Sequence, residues 1–221
     1  MQINENQHKT MNKIIIIDDT SSEQKEVRQI PGLNIVFQGG GNIVEVSSLT
    51  RFQDCAMIMH SNCHVRIGAT KHKISKLKVF CNSRNKVIIG KNFSCLGADC
   101  RLQENEVGLQ IGNNCMFSTG IVIYASDGHA IYEIATPSKS INKGSTIRIG
   151  DHVWVGRHVT LLKKTVIGND CIIGFGSLVT KVFNINNAII GGYPARVLKT
   201  NVNWDRKPPQ EFDIFNSRKK K

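Results

Sequence analysis

The chain has no apolar run long enough to cross a bilayer; its longest, the isoleucines of "IIIID" at residues 14–17, suits a buried strand. The first ten residues are polar and resemble no signal peptide. No CxxC pair is present. The seven cysteines are odd in number and scattered, which argues against both a disulfide framework and a zinc ribbon. They are expected as packed thiols in a reducing compartment. Acidic residues are scarce, 17 against 29 lysines and arginines, leaving a net charge of +12. That balance suits a polyanionic partner such as nucleic acid, acidic lipid, acidic polysaccharide or a phosphorylated cofactor. No nucleic-acid recognition motif accompanies it, so nucleic acid is not the expected partner. Together these absences point to a cytoplasmic protein without a membrane span, with the inner membrane surface as one place it could work. At 221 residues with 40% hydrophobic content, one substantial domain is expected.

What the sequence has is a rhythm. Through "IGDHVWVGRHVTLLKKTVIGNDCIIGFGSLVTKVFNI", aliphatic residues stand six apart at Ile149, Val155, Leu161, Ile167, Ile173, Val179 and Ile185. Roughly a quarter of the chain is Ile, Val or Leu, so an unbroken series has a chance on the order of 10⁻⁴ per phase. Neither a helix nor a simple strand has this period; a hexapeptide repeat signals a parallel β-helix of triangular coils. Small or short residues follow each lead by four: Val153, Val159, Thr165, Cys171 and Ser177. Glycines follow it directly at 150, 156, 168 and 174, where a tight corner has no room for a Cβ. Upstream, Ile67-Gly68, Ile89-Gly90 and Ile111-Gly112 recur at 22-residue steps, read as coils with small insertions.

The spacing predicts an all-β fold of about six coils. The rhythm stops between about 124 and 146, "SDGHAIYEIATPSKSINKGST" included, and resumes at Ile149, 26 residues after Ile123, which is one repeat of six plus an insertion of twenty. This is read as a loop extruded from the prism, affordable because each coil mainly contacts its neighbours. A loop this long without regular structure usually has a function, and this one carries His129. The expected division is 1–12 as a disordered N-terminus, 13–200 as the β-helix domain and 201–221 as a helix end and basic tail. Within it, "GGYPARVLK" closes the coils, a short helix runs through Trp204, and the chain is loose from Lys207 on.

These stretches carry a resemblance. The loop "SDGHAIYE", the coil "IGDHVWVGRHVTLLKKTVIG" and the closing "GFGSLVTK…GGYPARVLK" resemble the hexapeptide-repeat O-acetyltransferases. Within that family the likeness is to bacterial capsular and surface-polysaccharide enzymes, including those acting on sialic-acid polymers. The resemblance implies a left-handed parallel β-helix, a homotrimer with active sites between neighbouring subunits, and acetyl-CoA as co-substrate. By motif, His129 takes the place of the catalytic base, and Trp154 that of the tryptophan beside it. Thr180, Lys181, Arg196 and Lys199 match positions that meet the coenzyme. Arg157 and Phe175 stand where the family has small residues touching it. The asparagine that galactoside and maltose enzymes carry near Gly120 is absent, which turns the expected acceptor toward an anionic glycan.

The chemistry needs few parts. A base takes the acceptor's hydroxyl proton, donors stabilise an oxyanion, and both substrates are held in line. A histidine suits the base. Asp127, two residues earlier, could orient the imidazole or simply form the Ser-Asp-Gly turn. No nucleophile–base signature surrounds Ser118 or Ser126, so direct transfer is expected. Trp154, between inward Val153 and Val155, should point outward. His152 and His158, six apart, fall on adjacent faces and cannot converge on a metal within one subunit. Basic residues at Lys71, Lys73, Lys76, Lys78, Arg84, Lys86 and Lys91 could line one flank and guide a polyanion. Other readings are a small-molecule O-acetyltransferase of the antibiotic or serine type, a metal-dependent β-helical hydratase, and a non-catalytic trimeric scaffold for a polyanion.

Overall fold

The computed structural model describes residues 11–218. Three sheets of seven, nine and eight strands form the faces of a prism, and the chain visits them in turn. One coil illustrates the plan: Ile121–Tyr124 lies on the first face, Ile147–Ile149 on the second and Trp154–Val155 on the third. Strands of successive coils pair in parallel and in register, with Val122 opposite Thr160, Leu109 opposite Ile147, and Phe117 opposite Val155. The architecture is the expected left-handed parallel β-helix. The seven-stranded face counts seven coils where the spacing suggested about six.

Six of the seven period-six residues are core; the last, Ile185, is only partly buried, and Phe183 takes the inward place opposite Ile167. Ile149, Val155, Leu161, Ile167, Ile173 and Val179 are all buried, and so are Val153, Val159, Thr165, Cys171 and Ser177 behind them. All seven cysteines are buried and unpaired. Wider coils upstream are filled by larger side chains, among them Phe93 and Phe117 packed edge to face. The glycines at the corner between second and third faces are explained by close approach: a Cβ on Gly112 would lie 2.5 Å from the Gly150 carbonyl oxygen of the next coil. Side chains at this corner, three of them directly after Gly112, Gly150 and Gly168, build a ladder that the repeat alone does not announce. Asn113, Asp151, Asn169 and Asn186 side chains each accept a backbone N–H from the preceding coil, at 2.6–2.8 Å. Asn, Asp and His at positive φ, including Asn114, His152 and Asp170, turn this corner.

Both ends of the prism are capped by antiparallel pairs. Lys13–Ile17 pairs with Gln24–Val27 and, in parallel, with Ile43–Ser47 of the first coil. Of the residues expected as a disordered N-terminus, Asn12 is bound into this end, its amide donating to Gly39 O at 2.9 Å; residues 1–10 lie outside the described residues. At the other end Ala195–Thr200 folds back on Ala188–Gly192. The helix expected through Trp204 is not there. The last coil presents a row of unpaired backbone groups, and a returning strand satisfies them where a helix would not. The helix α1 falls later, at Pro209–Arg218, inside the stretch read as loose. It opens on proline, whose missing N–H costs nothing at a first helical position, with Glu211 in the first turn. The tip of the basic tail, residues 219–221, lies outside the described residues.

Candidate active site

The extruded loop leaves after Tyr124 and returns at Ile147, so it springs from the corner between first and second faces. Its neck is closed by Ser145 N–H donating to Ala125 O at 2.9 Å and by Gly144 N–H donating to the Glu104 carboxylate at 2.9 Å. Ser126 is buried in this neck, which withholds it from any nucleophilic role. Beyond the neck, Asn142 organises the loop. Its amide donates to His129 O and to the Asp127 carboxylate, each at 2.8 Å, and its oxygen accepts the Ile131 N–H at 2.7 Å. Lys163, on the next coil, donates to Asn142 O at 2.6 Å and pairs with Asp127.

The backbone of His129 is therefore clamped while its ring stays exposed, with no hydrogen-bond partner among the described residues. Asp127 does not meet the imidazole. Its carboxyl is held below the usual carboxylate range first by Lys163 and then by Asn142, and it serves as the pin of the loop.

Trp154 points outward from the third face, 39% exposed, as its place between Val153 and Val155 requires. Beside it lies Trp204, 6.0 Å away between ring centroids. Arg157 and Phe175 stand exposed at the corner between third and first faces, where Phe175 meets the His158 ring edge-on at 5.7 Å. Thr180 and Lys181 turn the last coil from the first face to the second. Arg196 and Lys199 lie on the terminal strand of the third face, opposite Gly191 and Ile189. One protomer thus brings His129 and Asp127 together in the loop and leaves Trp154 on a different side of the prism. The coenzyme candidates gather at the C-terminal end but around its perimeter.

His152 is taken up by Asp170, 2.9 Å away, and no group of three or more metal-ligating side chains occurs among the described residues. The basic residues expected along one flank are dispersed. Lys73 is on the third face, Lys78 on the first, Lys86 on the second, and Arg84 is paired with Glu106 at 2.7 Å. One coil of about 22 residues visits all three faces, so charges close together in sequence do not become a stripe. Sequence reasoning also missed Lys163 and Asn142. The signal available for Lys163 was its place at the loop's own corner, one coil on.

A family model described as bacterial transferase hexapeptide (six repeats) matches residues 146–181, the coils just beyond the loop. A polysialic acid O-acetyltransferase of Escherichia coli O1:K1 / APEC is 33% identical over 143 residues, 64% of this chain and 46% of that protein. One of Neisseria meningitidis is 39% identical over 99 residues, 45% of this chain and 46% of that protein. The matched stretch therefore spans about half the length of these curated relatives. The crystal structure of the polySia specific acetyltransferase NeuO superposes with a TM-score of 0.71 at 26% identity, covering 94% of this chain and 87% of that one. The polysialic acid O-acetyltransferase OatWY shares the fold, with a TM-score of 0.66 at 22% identity over 95% and 99% of the two chains. Repeat and fold thus define a left-handed parallel β-helix of the hexapeptide-repeat class. Within that class, sequence and fold alike resemble the polysialic acid O-acetyltransferases.

Proposed function

We propose that the chain is an acetyl-CoA-dependent O-acetyltransferase acting on a hydroxyl of a surface or capsular glycan, with His129 as general base. The observation that carries this is the loop: its backbone is held at His129 by Asn142, which Lys163 ties to the next coil, while the imidazole projects unpaired into solvent. Such a group is positioned by the fold yet left available for a substrate. In the reaction, His129 accepts the proton of the acceptor hydroxyl as its oxygen bonds to the acyl carbon, and returns it to the departing thiolate. Bound acetyl-CoA supplies the activated acyl group and the thiol leaving group. Lys181, Arg196 and Lys199 suit its phosphates, being exposed and without an ion-pair partner among the described residues. Thr180, Arg157 and Phe175 are assigned to the same coenzyme. Removing charge at both Lys181 and Arg196 should raise the apparent KM for acetyl-CoA about tenfold or more, ~1.4 kcal/mol per decade, with kcat little changed. An unaltered coenzyme KM would remove them from the site.

Two features favour a site shared between copies, and we assign a homotrimer. His129 and Trp154 lie on different sides of one prism. The loop also exposes apolar side chains that need cover, Ile134 at 95% and Ile141 at 60%. Light scattering should report three chains; an active monomer would contradict the assignment.

The acceptor is assigned as an anionic glycan, with a sialic-acid polymer as its candidate, because the similar proteins are polysialic acid O-acetyltransferases and the net charge here is +12. Thiol release from acetyl-CoA, measured over a panel of sialic-acid polymers, neutral glycans and small hydroxylated molecules with product NMR, tests this. Stimulation by a small molecule alone would favour the antibiotic or serine type of enzyme. No stimulation by any acceptor would leave a binding scaffold.

A further inference from the structure

The chain has two tryptophans, and both line one groove. Its volume is about 720 Å³, and its walls carry the rings of Trp154, Trp204 and Phe212 with the polar groups of Asn203, Asp205, Asp213 and Lys207, the last paired with Asp205. Trp154 belongs to the coils, but the rest comes from the C-terminal segment that follows them. That segment is pinned across the prism. Trp204 donates its indole N–H to His152 O at 2.8 Å and stacks on the His152 ring at 4.3 Å and 9°. Further on, Arg206 donates to Ser94 Oγ at 2.7 Å and to Cys115 O at 3.1 Å, in coils four and three strands along the third face from Ala188–Gly192 at the capped end. Burial holds the Arg206 guanidinium below its ordinary pKa, a sign of how closely the segment is seated.

We propose that this segment is the second wall of a sugar-binding groove, in which a pyranose ring of the glycan acceptor lies against Trp154, Trp204 and Phe212. This deepens the glycan acetyltransferase reading and rests on it. A pyranose has an apolar C–H face and a rim of hydroxyls. Aromatic rings suit the face, and an amide with two carboxylates suits the rim. A hydrocarbon ligand would leave these polar groups unpaired, and a bare phosphate has no apolar face for the three rings to cover. The Asp205 carboxylate, held below its usual range first by the Lys207 backbone N–H, takes both Lys207 donors on Oδ1 and has Oδ2 to accept a hydrogen bond from a sugar hydroxyl. A smaller hollow of about 230 Å³ adjoins on the other side of Trp154, between Leu96, Met116 and Ser118. Two hollows meeting at one exposed indole suit successive units of a polymer. A plain end-cap has no need to leave Trp154 and Phe212 39% and 43% exposed to the same hollow.

Because both tryptophans face the groove, the intact protein reports its own binding. Tryptophan emission is titrated without coenzyme, using a sialic-acid oligomer and a neutral malto-oligosaccharide of equal length. The expected result is a saturable change with at least one of them. Phe212→Ala and Asp213→Asn, neither of which anchors the segment, should each raise the apparent Kd at least about fivefold. Acetyl-CoA binding and the thermal midpoint should be unchanged. No saturable change with either sugar, or a change indifferent to both variants, overturns the groove. Binding without acetyl transfer would instead sink the enzyme reading and leave the groove standing. Acetyl transfer with an acceptor KM unmoved in both variants would do the reverse.

Discussion

His129→Ala is expected to lower acetyl-transfer turnover by at least about a hundredfold, the lower end of what a positioned general base contributes, while leaving oligomeric state and coenzyme binding intact. The separation follows from the geometry. The His129 ring makes no hydrogen bond within the protein; only its carbonyl is held, by Asn142. Truncating the ring therefore removes the proton acceptor without loosening the loop. Lys163→Met is the complementary change. It keeps the base but releases both Asp127 and Asn142 from the coil, so turnover should fall through misplacement of an intact imidazole, and by less. Asp127 sets the lower pH limit of this clamp. Its folded pKa lies below the ordinary 3.8, so the pairing is fully present above that value and is lost only as pH falls through the folded pKa. Across the neutral range the clamp is constant, and an activity change there does not come from Asp127. Near-normal turnover of His129→Ala would end its assignment as the base.

The contrast between what was legible in the sequence and what was not has a physical origin. A coil of a β-helix contacts mainly the coils before and after it, so one-dimensional periodicity carries nearly all of the fold. Leads from Ile149 to Val179 point inward because the period alone puts them there. The loop was legible for the same reason in reverse, as the place where the period fails. The C-terminal segment obeys no period. Arg206 reaches Ser94, 112 residues away, and such a contact leaves no local trace. "KPPQEFDIFNSRKKK" was read as a loose tail because it is terminal and carries no period, whereas its second proline begins α1. Asp127 was read by its nearness to His129 in sequence. Its real partners, Asn142 and Lys163, are 15 and 36 residues on, and only the folded loop brings them in.

Phe117→Ala is expected to destabilise the protein by about 3–5 kcal/mol, the cost typical of a large aromatic truncated in a closed core. Phe117 is 1% exposed and packs edge to face on the fully buried Phe93 at 5.1 Å between centroids. In register it stacks between Cys95 below and Val155 above. A β-helix interior is one side chain wide, so the void cannot be filled from a second layer, and the neighbouring coils are fixed by their own ladders. The site would feel the loss, because the same strand pairs Met116 with Trp154. Denaturant unfolding at matched protomer concentration should show a lower midpoint with an unchanged slope. Phe117→Leu should recover most of the loss, since it keeps much of the volume. In a double mutant with Phe93→Ala the two losses should fall short of additive by about 0.5–1.5 kcal/mol, the worth of the edge-to-face pair. A loss below about 1 kcal/mol for Phe117→Ala would mean that the coils relax into the void, and that the prism is softer than its packing implies.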